Sequence, residues 1–165
     1  MFILVLESLL TTMDEFDDID RAILHIMQTD GRVSNADLAR QVRLSPPAVH
    51  ARVRRLEEAG VIRGYVALLD HEALGFELLC LINISMERHR RKDIEQVRQA
   101  VQDMPEVLEC HHLTGEFDYQ LKVVVRNRKE LEQFVLDRLS TIPGIAHIRT
   151  SLVFSEIKST TELPL

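Results

Sequence analysis

The stretch "LSPPAVHARVRRLEEAGVI", residues 44–62, contains unusually well-marked start and stop signals for a helix. Ser45 is a favourable N-cap residue, and Pro46 suits the first helical position because its missing N–H would be unpaired there in any case. Gly60 follows the last turn, where a residue with positive φ commonly ends a helix. These signals predict a helix that begins at residue 46 and ends before residue 60.

The two faces of this helix differ in a way that suits contact with DNA. At 3.6 residues per turn, Val49, Val53 and Leu56 fall on one side, and we predict that they pack on other helices. The opposite side combines short side chains, which let a backbone approach the major groove, with arginines that reach guanine edges or phosphates. The outward-facing residues are Pro47, Ala48, His50, Ala51, Arg54 and Arg55.

Two further helices are predicted upstream. Between residues 17 and 30, apolar residues recur at the i, i+4, i+7 and i+8 positions of an amphipathic helix, and acidic residues occupy its first turn, where the helix dipole favours negative charge. Ser34 and Asp37 resemble a capping box at the start of a second helix, and the turn "VRLS" joins that helix to the third. Three short helices with a tight turn before the last are typical of a helix-turn-helix.

Basic residues are concentrated in this region. The chain as a whole has a formal net charge of −6, which argues against a protein coated in basic charge for nucleic acid. Between Arg32 and Arg63, however, seven arginines stand against three acidic residues, a local charge of +4. A charge run usually marks only a solvated helix face, but the capping pattern and the turn length favour DNA binding here. The predicted DNA-binding residues therefore also include Ser45, Pro46, Arg32 and Arg43.

The second half of the chain alternates strand and helix patterns in the order β-α-β-β-α-β, which predicts an α+β, ferredoxin-like domain. A strand pattern over residues 61–70 precedes it and predicts a hinge strand or a wing. Such a sheet carries both helices on one face, and consecutive apolar residues from Leu78 to Ile82 predict that the other face is also apolar. We therefore expect sheet-against-sheet dimerisation. The predicted ranges are 76–86, 92–104, 107–113, 119–125, 129–142 and 145–157.

Composition and the N-terminal sequence narrow the class of protein. Apolar residues make up 45% and charged residues 28% of the 165 residues, the balance of a soluble globular protein. Residues 1–12 lack the basic start of a signal peptide, and their apolar run is too short to cross a bilayer, so we expect an extension upstream of Met13 and no membrane partner. Cys80 and Cys110 are predicted to be free, buried thiols of a cytoplasmic protein.

The stretch "HLTGEFDYQL", residues 112–121, places two acidic and two aromatic residues at a turn between two predicted strands. The side chains of metal sites and acid–base pairs are present in and beside this stretch, at His111, His112, Glu116 and Asp118. Adjacent strand residues point to opposite faces, however, so the two histidines cannot hold one ion without distortion. The sequence also shows no nucleophile–base pair and no phosphate-binding glycine loop. We therefore expect neither an enzyme nor a metal site.

The chain resembles the Lrp/AsnC (feast/famine) family of bacterial and archaeal transcription regulators over residues 13–158. The resemblance rests on "IDRAIL", on "DGRVSNADLARQVRLSPPAVHARVRRLEEAGVIRGYVALLD" and on "ECHHLTGEFDYQLKV", in the order found in the family. It implies a winged helix-turn-helix domain at 13–63, a hinge strand and linker at 64–75, and a βαββαβ ligand-sensing domain of the RAM type at 76–158. A C-terminal tail at 159–165 would follow.

The resemblance also implies partners. Family members form homodimers that assemble into octamers or discs, bind double-stranded DNA and respond to amino acids, without a cofactor. The alternative is a stand-alone small-molecule-binding module without DNA activity, and the arginine-bearing third helix argues against it. The effector is expected between dimers, at Thr114, Gly115, Glu116, Phe117, Asp118 and Tyr119, with a contribution from Ser151 of a neighbouring subunit.

Overall fold

The computed structural model describes residues 16–88 and 90–165. The expectations for residues 1–12 and for Met13 lie outside this part of the chain. The described residues form two compact units: one contains residues 16–68 together with Lys158–Leu165, and the other contains the described residues of Leu69–Ile157. The C-terminal tail packs with the first unit. The Gln28 amide donates to the Leu163 carbonyl at 3.2 Å and accepts from the Leu163 N–H at 2.6 Å.

The first unit consists of the three predicted helices, α1 (Asp18–Thr29), α2 (Asn35–Val42) and α3 (Pro46–Glu58). Each helix begins at a side-chain cap, and α1 has a complete capping box. Because these caps satisfy N–H groups that have no partner inside the helix, they define where each helix starts. The caps are Asp17, Ser34 and Ser45, and the fully buried core residues include Ile23, Leu38, Val49 and Leu56.

The segment after α3 differs from its prediction. Gly60 has φ of +71° and ends α3 as expected, but residues 63–70 form no strand within the described chain. A strand needs a neighbouring strand to satisfy its backbone groups. Apolar and polar residues do alternate in this segment, yet no strand among the described residues pairs with it. The Tyr65 hydroxyl donates to Glu57 at 3.0 Å, and burial followed by this carboxylate raises the pKa of Tyr65 to about 12.

The second unit has the predicted βαββαβ order. Its elements are β1 (Leu78–Met86), α4 (Arg91–Gln102), β2 (Val107–His112), β3 (Tyr119–Val125), α5 (Arg128–Gln133) and β4 (Ile145–Leu152). The sheet order is β2-β3-β1-β4, and every neighbouring pair is antiparallel. Buried residues of both helices pack on the same face of the sheet, including Val97 and Phe134. The closing strand ends at Leu152 rather than at residue 157.

The second helix of this unit is not a regular α-helix throughout. After Gln133 it continues as a π-helical segment, Phe134–Leu139, whereas the sequence predicted one continuous helix over residues 129–142. A π-helical turn admits an extra residue and recurs at functional positions. Here the segment still buries Phe134 and Leu139 against the sheet. The π-helical geometry therefore does not open the core.

The sheet face opposite the helices is largely polar, so the prediction of a bare apolar face is wrong. The residues that alternate with the core positions of β1 include Leu79, Leu81 and Asn83, and Asn83 lies opposite Gln120. The Gln120 amide donates to Asn83 at 3.1 Å, and Lys122 pairs with Glu156 at 3.1 Å. The apolar residues of β1 thus cover only one end of this face.

Among the described residues, the structure contains no helix with both the length and the apolar character that a membrane span requires.

Candidate DNA-binding and ligand-binding sites

The α3 helix presents the outward face that its sequence predicts. Val49, Val53 and Leu56 are buried, at 0%, 7% and 0% exposure. The Ser45 hydroxyl caps the helix by accepting from the Ala48 N–H at 3.4 Å. Because one side of α3 is fixed in the core, the other side is held as a rigid surface. That surface carries Pro46, Pro47, His50, Ala51, Arg54 and Arg55, all exposed, with Ala48 half-buried.

Several arginines of the basic region are engaged in ion pairs. Arg54 pairs with Glu58 one turn along α3, at 2.8 Å between Nε and Oε1. Arg55 donates to Oδ2 of Asp20. Arg52 donates to Oδ1 of Asp20 at 2.8 Å and to Asp17 at 2.8 Å. The outward surface of α3 is therefore partly neutralised by acids of its own unit.

Asp20 is a functional element that sequence reasoning missed. It was assigned a general role in the helix dipole, yet its side chain is fully buried between α1 and α3. Burial of an ionised carboxylate is costly unless hydrogen bonds compensate it, and Arg52 and Arg55 provide them. Their i, i+3 spacing on α3 was the available signal. Hydrogen bonds from the Asp20 amide and then from Arg52 hold the pKa of Asp17 below its ordinary value.

Arg43 lies in the turn between α2 and α3 with φ of +56° and ψ of +43°. It is the one non-glycine residue with positive φ in the described chain, and a side chain in this region is strained. Arg43 is exposed, as is Arg32, and neither forms an ion pair among the described residues. Both residues, which the sequence predicted to bind DNA, thus have exposed side chains, Arg32 before α2 and Arg43 in the turn between α2 and α3.

The hairpin turn that follows β2 has a defined geometry. Gly115 has φ of +133°, which favours glycine. The Leu113 N–H donates to the Asp118 carbonyl at 2.8 Å and closes the turn, and Thr114 to Glu116 are exposed. The Asp118 carboxylate accepts from the Met86 N–H at 2.7 Å, where β1 has an irregular register. Asp118 therefore anchors the turn to the end of β1.

Aromatic residues line the base of this turn. Tyr119 is 2% exposed and its ring stacks on His112 with centroids 4.8 Å apart. The Tyr119 hydroxyl is buried and has no hydrogen-bond partner among the described residues. Phe117 is half-buried. The turn thus places an exposed, polar backbone above aromatic rings that pack beneath it.

Ser151 does not meet this turn within the chain. It lies exposed on β4 opposite Leu81, whereas the turn lies beside Ile84. Ser151 and the turn are therefore about 10 Å apart along the strand direction, and β1 lies between them. The expected contribution of Ser151 from a neighbouring subunit is not tested by a single chain.

The histidine and cysteine residues near the turn are spread over both sheet faces. His112 stacks on Tyr119, while His111 lies 3.0 Å from Glu109, so adjacent histidines do point apart. In residues 16–88 and 90–165, no group of three or more His, Cys, Asp or Glu could hold a metal ion. Cys80 is buried as predicted, but Cys110 is exposed because it lies on the edge strand.

The fold and these two sites define a class of protein: a helix-turn-helix DNA-binding unit joined to a βαββαβ ligand-binding unit. Comparisons with known families agree. Residues 16–63 match the winged helix-turn-helix DNA-binding family, and residues 79–163 match the Lrp/AsnC ligand binding domain.

The chain belongs to the Lrp/AsnC family of DNA-binding transcription regulators. It is 40% identical over 149 residues to the leucine-responsive regulatory protein of Escherichia coli strain K12, covering 90% of this chain and 91% of that protein. A Neisseria meningitidis transcriptional regulator in complex with L-methionine has a TM-score of 0.86 and 38% identity, covering 90% and 96% of the two chains. An AsnC-family regulator of Agrobacterium tumefaciens has a TM-score of 0.84 and 34% identity, covering 90% and 97%.

Proposed function

We propose that this regulator reads a specific DNA sequence through α3, and that an amino acid bound at the hairpin turn changes that binding. The observation that carries the proposal is the α3 helix itself. Its inner face is buried in the core, and its outer face exposes short side chains between arginines. A helix held in this way enters a major groove with little loss of conformational freedom.

The residues of the DNA-binding site divide by position. A recognition helix contacts bases mainly through its N-terminal residues, which here are Ser45, Pro46, Pro47, Ala48, His50 and Ala51. Arg54 lies one turn further on and reaches toward the backbone or an outer base pair. Arg32, Arg43 and Arg55 are assigned to phosphates, since such contacts position a protein without reading sequence. The ion pair to Asp20 gives Arg55 a fixed direction before DNA arrives.

An amino acid is the effector that fits the hairpin turn. A related regulator is described in complex with L-methionine, and other relatives are named leucine-responsive. Backbone N–H groups of the exposed turn suit an α-carboxylate, and Glu116, which is exposed, suits an α-ammonium group. Phe117, which is half-buried, suits an apolar side chain. Asp118 is assigned to holding the turn, because its carboxylate already accepts from Met86.

Assembly links the two sites. We propose a homodimer that forms higher oligomers, an octamer among them. Support comes from large apolar side chains between 78% and 98% exposed in the segments that enter and leave the ligand-binding unit: Val66, Leu68, Phe154 and Ile157. A ligand between dimers shifts the oligomer equilibrium only through different affinities for the two assemblies. That shift changes how many DNA-binding units engage one DNA molecule at once.

DNA binding is tested by fluorescence anisotropy on the protein's own promoter region at about 50 and 200 mM salt, because phosphate contacts make affinity fall with salt. Arg54→Ala should weaken binding roughly tenfold. Lys92→Ala, which removes an exposed charge at the start of α4, should not change it. Equal affinities for both variants and the wild type would contradict the assignment of α3. Absence of binding by the wild type at low salt would instead favour a ligand-binding module.

The effector is identified by a thermal-shift screen against the twenty amino acids. A ligand at 100 times its Kd stabilises the folded state by about 2.7 kcal/mol. Glu116→Gln should lose the shift produced by the best amino acid, and Glu95→Gln, an exposed acid on α4, should keep it. An undiminished shift in Glu116→Gln would remove the turn from the site.

A further inference from the structure

Glu58 lies on the outward surface of α3, together with the residues that the proposed function turns toward DNA. At about 100° per residue, Pro47, Ala51, Arg54 and Glu58 fall within about 60° of one another around the helix axis, nearly opposite the buried face. The side chains of Arg54 and Glu58 are 69% and 63% exposed. An acidic side chain therefore lies in the middle of a surface that would meet a polyanion, where its charge opposes binding.

Glu58 holds the Arg54 guanidinium by one nitrogen atom. Nε of Arg54 donates to Oε1 of Glu58 at 2.8 Å, one turn along the helix. Within residues 16–88 and 90–165, Nη1 and Nη2 of Arg54 form no hydrogen bond. The other two arginines of α3 differ, because Arg52 through Nη1 and Arg55 through Nη2 donate to the buried Asp20. Arg54 is thus the arginine of α3 that is held in place while both of its terminal nitrogens stay available to a ligand.

The two terminal N–H groups of one guanidinium match a pair of adjacent acceptors. The major-groove edge of guanine offers such a pair, O6 and N7, and a phosphate group offers two oxygens. Charge separates these candidates. A phosphate that reaches Arg54 also approaches the Glu58 carboxylate, which repels it, whereas the edge of guanine is neutral. The ion pair therefore favours the base over the backbone as the ligand of Arg54.

We infer that Glu58 is a specificity-determining residue that positions Arg54 to bind one guanine in the major groove. The inference rests on the proposed function, since it takes α3 as the helix that reads DNA. Glu58 fixes the guanidinium before the base arrives, which lowers the entropy lost on binding. It also weakens contacts of Arg54 with phosphates, which are the same in every sequence. Loss of Glu58 should therefore weaken guanine recognition and strengthen binding to unrelated DNA.

The base pair that Arg54 contacts is identified by in vitro selection of DNA duplexes with the full-length protein. We expect one position at which the wild type selects guanine and Arg54→Ala does not. Fluorescence anisotropy then compares the selected duplex with an unrelated duplex of the same length and with a duplex that carries 7-deazaguanine, which lacks the N7 acceptor, at that position. The wild type should bind the guanine duplex about fivefold more tightly than the 7-deazaguanine duplex, since one charge-assisted hydrogen bond is lost.

Glu58→Ala removes the acceptor of Arg54 at an exposed position, and circular dichroism checks that the variant folds. The ratio between the guanine and 7-deazaguanine affinities should fall to about twofold or less, because Arg54 then turns to a phosphate as readily as to the base. Binding to the unrelated duplex should become about threefold tighter, since one repulsive charge is gone.

Glu57→Gln is the matched control. It removes one charge from the neighbouring exposed position, where the carboxylate accepts from the Tyr65 hydroxyl at 3.0 Å and leaves the pair of Arg54 and Glu58 intact. This variant should keep the wild-type ratio, whatever the loss of charge does to its affinity for the unrelated duplex.

A wild-type ratio in Glu58→Ala, or an equal fall in Glu57→Gln, would overturn the inference, as would the absence of a guanine position that depends on Arg54. The proposed function is judged separately. Sequence-specific binding by the wild type that weakens in Arg54→Ala supports the proposed function whatever the result for Glu58→Ala. Failure of the wild type to bind any duplex at about 50 mM salt would refute both.

Discussion

Replacement of Asp20 by Asn should destabilise the helix-turn-helix unit far more than replacement of an exposed acidic residue would. The Asp20 carboxylate is fully buried and accepts from both Arg52 and Arg55. It also accepts from the Asp17 N–H at 3.4 Å, which completes the capping box of α1. An amide at this position removes the negative charge and turns an N–H toward a guanidinium group.

The magnitude follows from the exposure of the partners. Removing one partner of a fully buried ion pair costs about 3–5 kcal/mol. The Arg52 and Arg55 side chains are 27% and 56% exposed, so water can solvate them once the carboxylate charge is gone. This lowers the expected cost to about 2 kcal/mol. For a unit of this size, about 2 kcal/mol corresponds to roughly 10 °C in the midpoint of thermal unfolding.

The assay is hydrogen exchange of the full chain, read separately for peptides of α1 and α3, together with urea denaturation followed by circular dichroism. A loss of 2 kcal/mol accelerates globally exchanging amides of these helices about 30-fold. The control is Glu58→Gln, which removes an exposed acid that pairs with Arg54 and should cost less than about 0.5 kcal/mol. If Asp20→Asn and Glu58→Gln differ by less than this amount, the buried network does not hold α1 to α3 and the reasoning fails.

Three further outcomes are expected. Arg43→Gly should leave the free energy of unfolding unchanged or raise it by up to about 1 kcal/mol in urea denaturation, because glycine adopts positive φ without strain. The same variant should bind DNA more weakly, with a salt dependence reduced by about one phosphate contact. An unchanged DNA affinity in fluorescence anisotropy would contradict this role of Arg43. Because the pKa of Asp17 is lower in the folded protein than its ordinary value, the ionised carboxylate stabilises the fold above that ordinary pKa, and this stabilisation is lost as the pH falls through the pKa of the folded state. The free energy of unfolding of Asp17→Asn should therefore depend less on pH below about pH 4 than that of the wild type. Identical pH profiles for the two proteins would exclude a contribution from Asp17. Tyr119→Phe should stabilise the fold by about 1 kcal/mol, since the buried hydroxyl lacks a partner among the described residues; a destabilised variant would show that the hydroxyl is hydrogen-bonded in the assembled protein.

Much of the fold was predictable because it rests on local chemistry. The ends of α3 follow from a capping hydroxyl, a proline at the first position and a glycine with positive φ, each of which acts within one turn of the chain. The order of strands and helices in the ligand-binding unit follows from apolar periodicity in the same way. A local pattern does not show whether a strand will find a neighbouring strand to pair with. Residues 63–70 therefore have the alternating pattern of a strand but do not form one.

The candidate sites were predictable in part. The outward residues of α3 follow from helical periodicity, since its buried face is apolar. Arg55 and Asp118 were read as contacts for DNA and for an effector, but in the structure Arg55 also pairs with Asp20 and Asp118 accepts from Met86. These partners are 35 and 32 residues away in the chain. No periodic pattern reports such a distance.

The sequence by itself therefore determined the order of the helices and strands in the ligand-binding unit, the ends of α3 and the family, because these depend on residues that are neighbours along the chain. Only the tertiary structure decided that Asp20 is buried between two arginines, that most of the second sheet face is polar, and that the second helix of the ligand-binding unit continues as a π-helical segment. The physical reason is that burial and charge pairing are properties of the packed chain. Whether an acidic residue is solvated, or buried and paired with arginines as Asp20 is, depends on the side chains that folding places next to it.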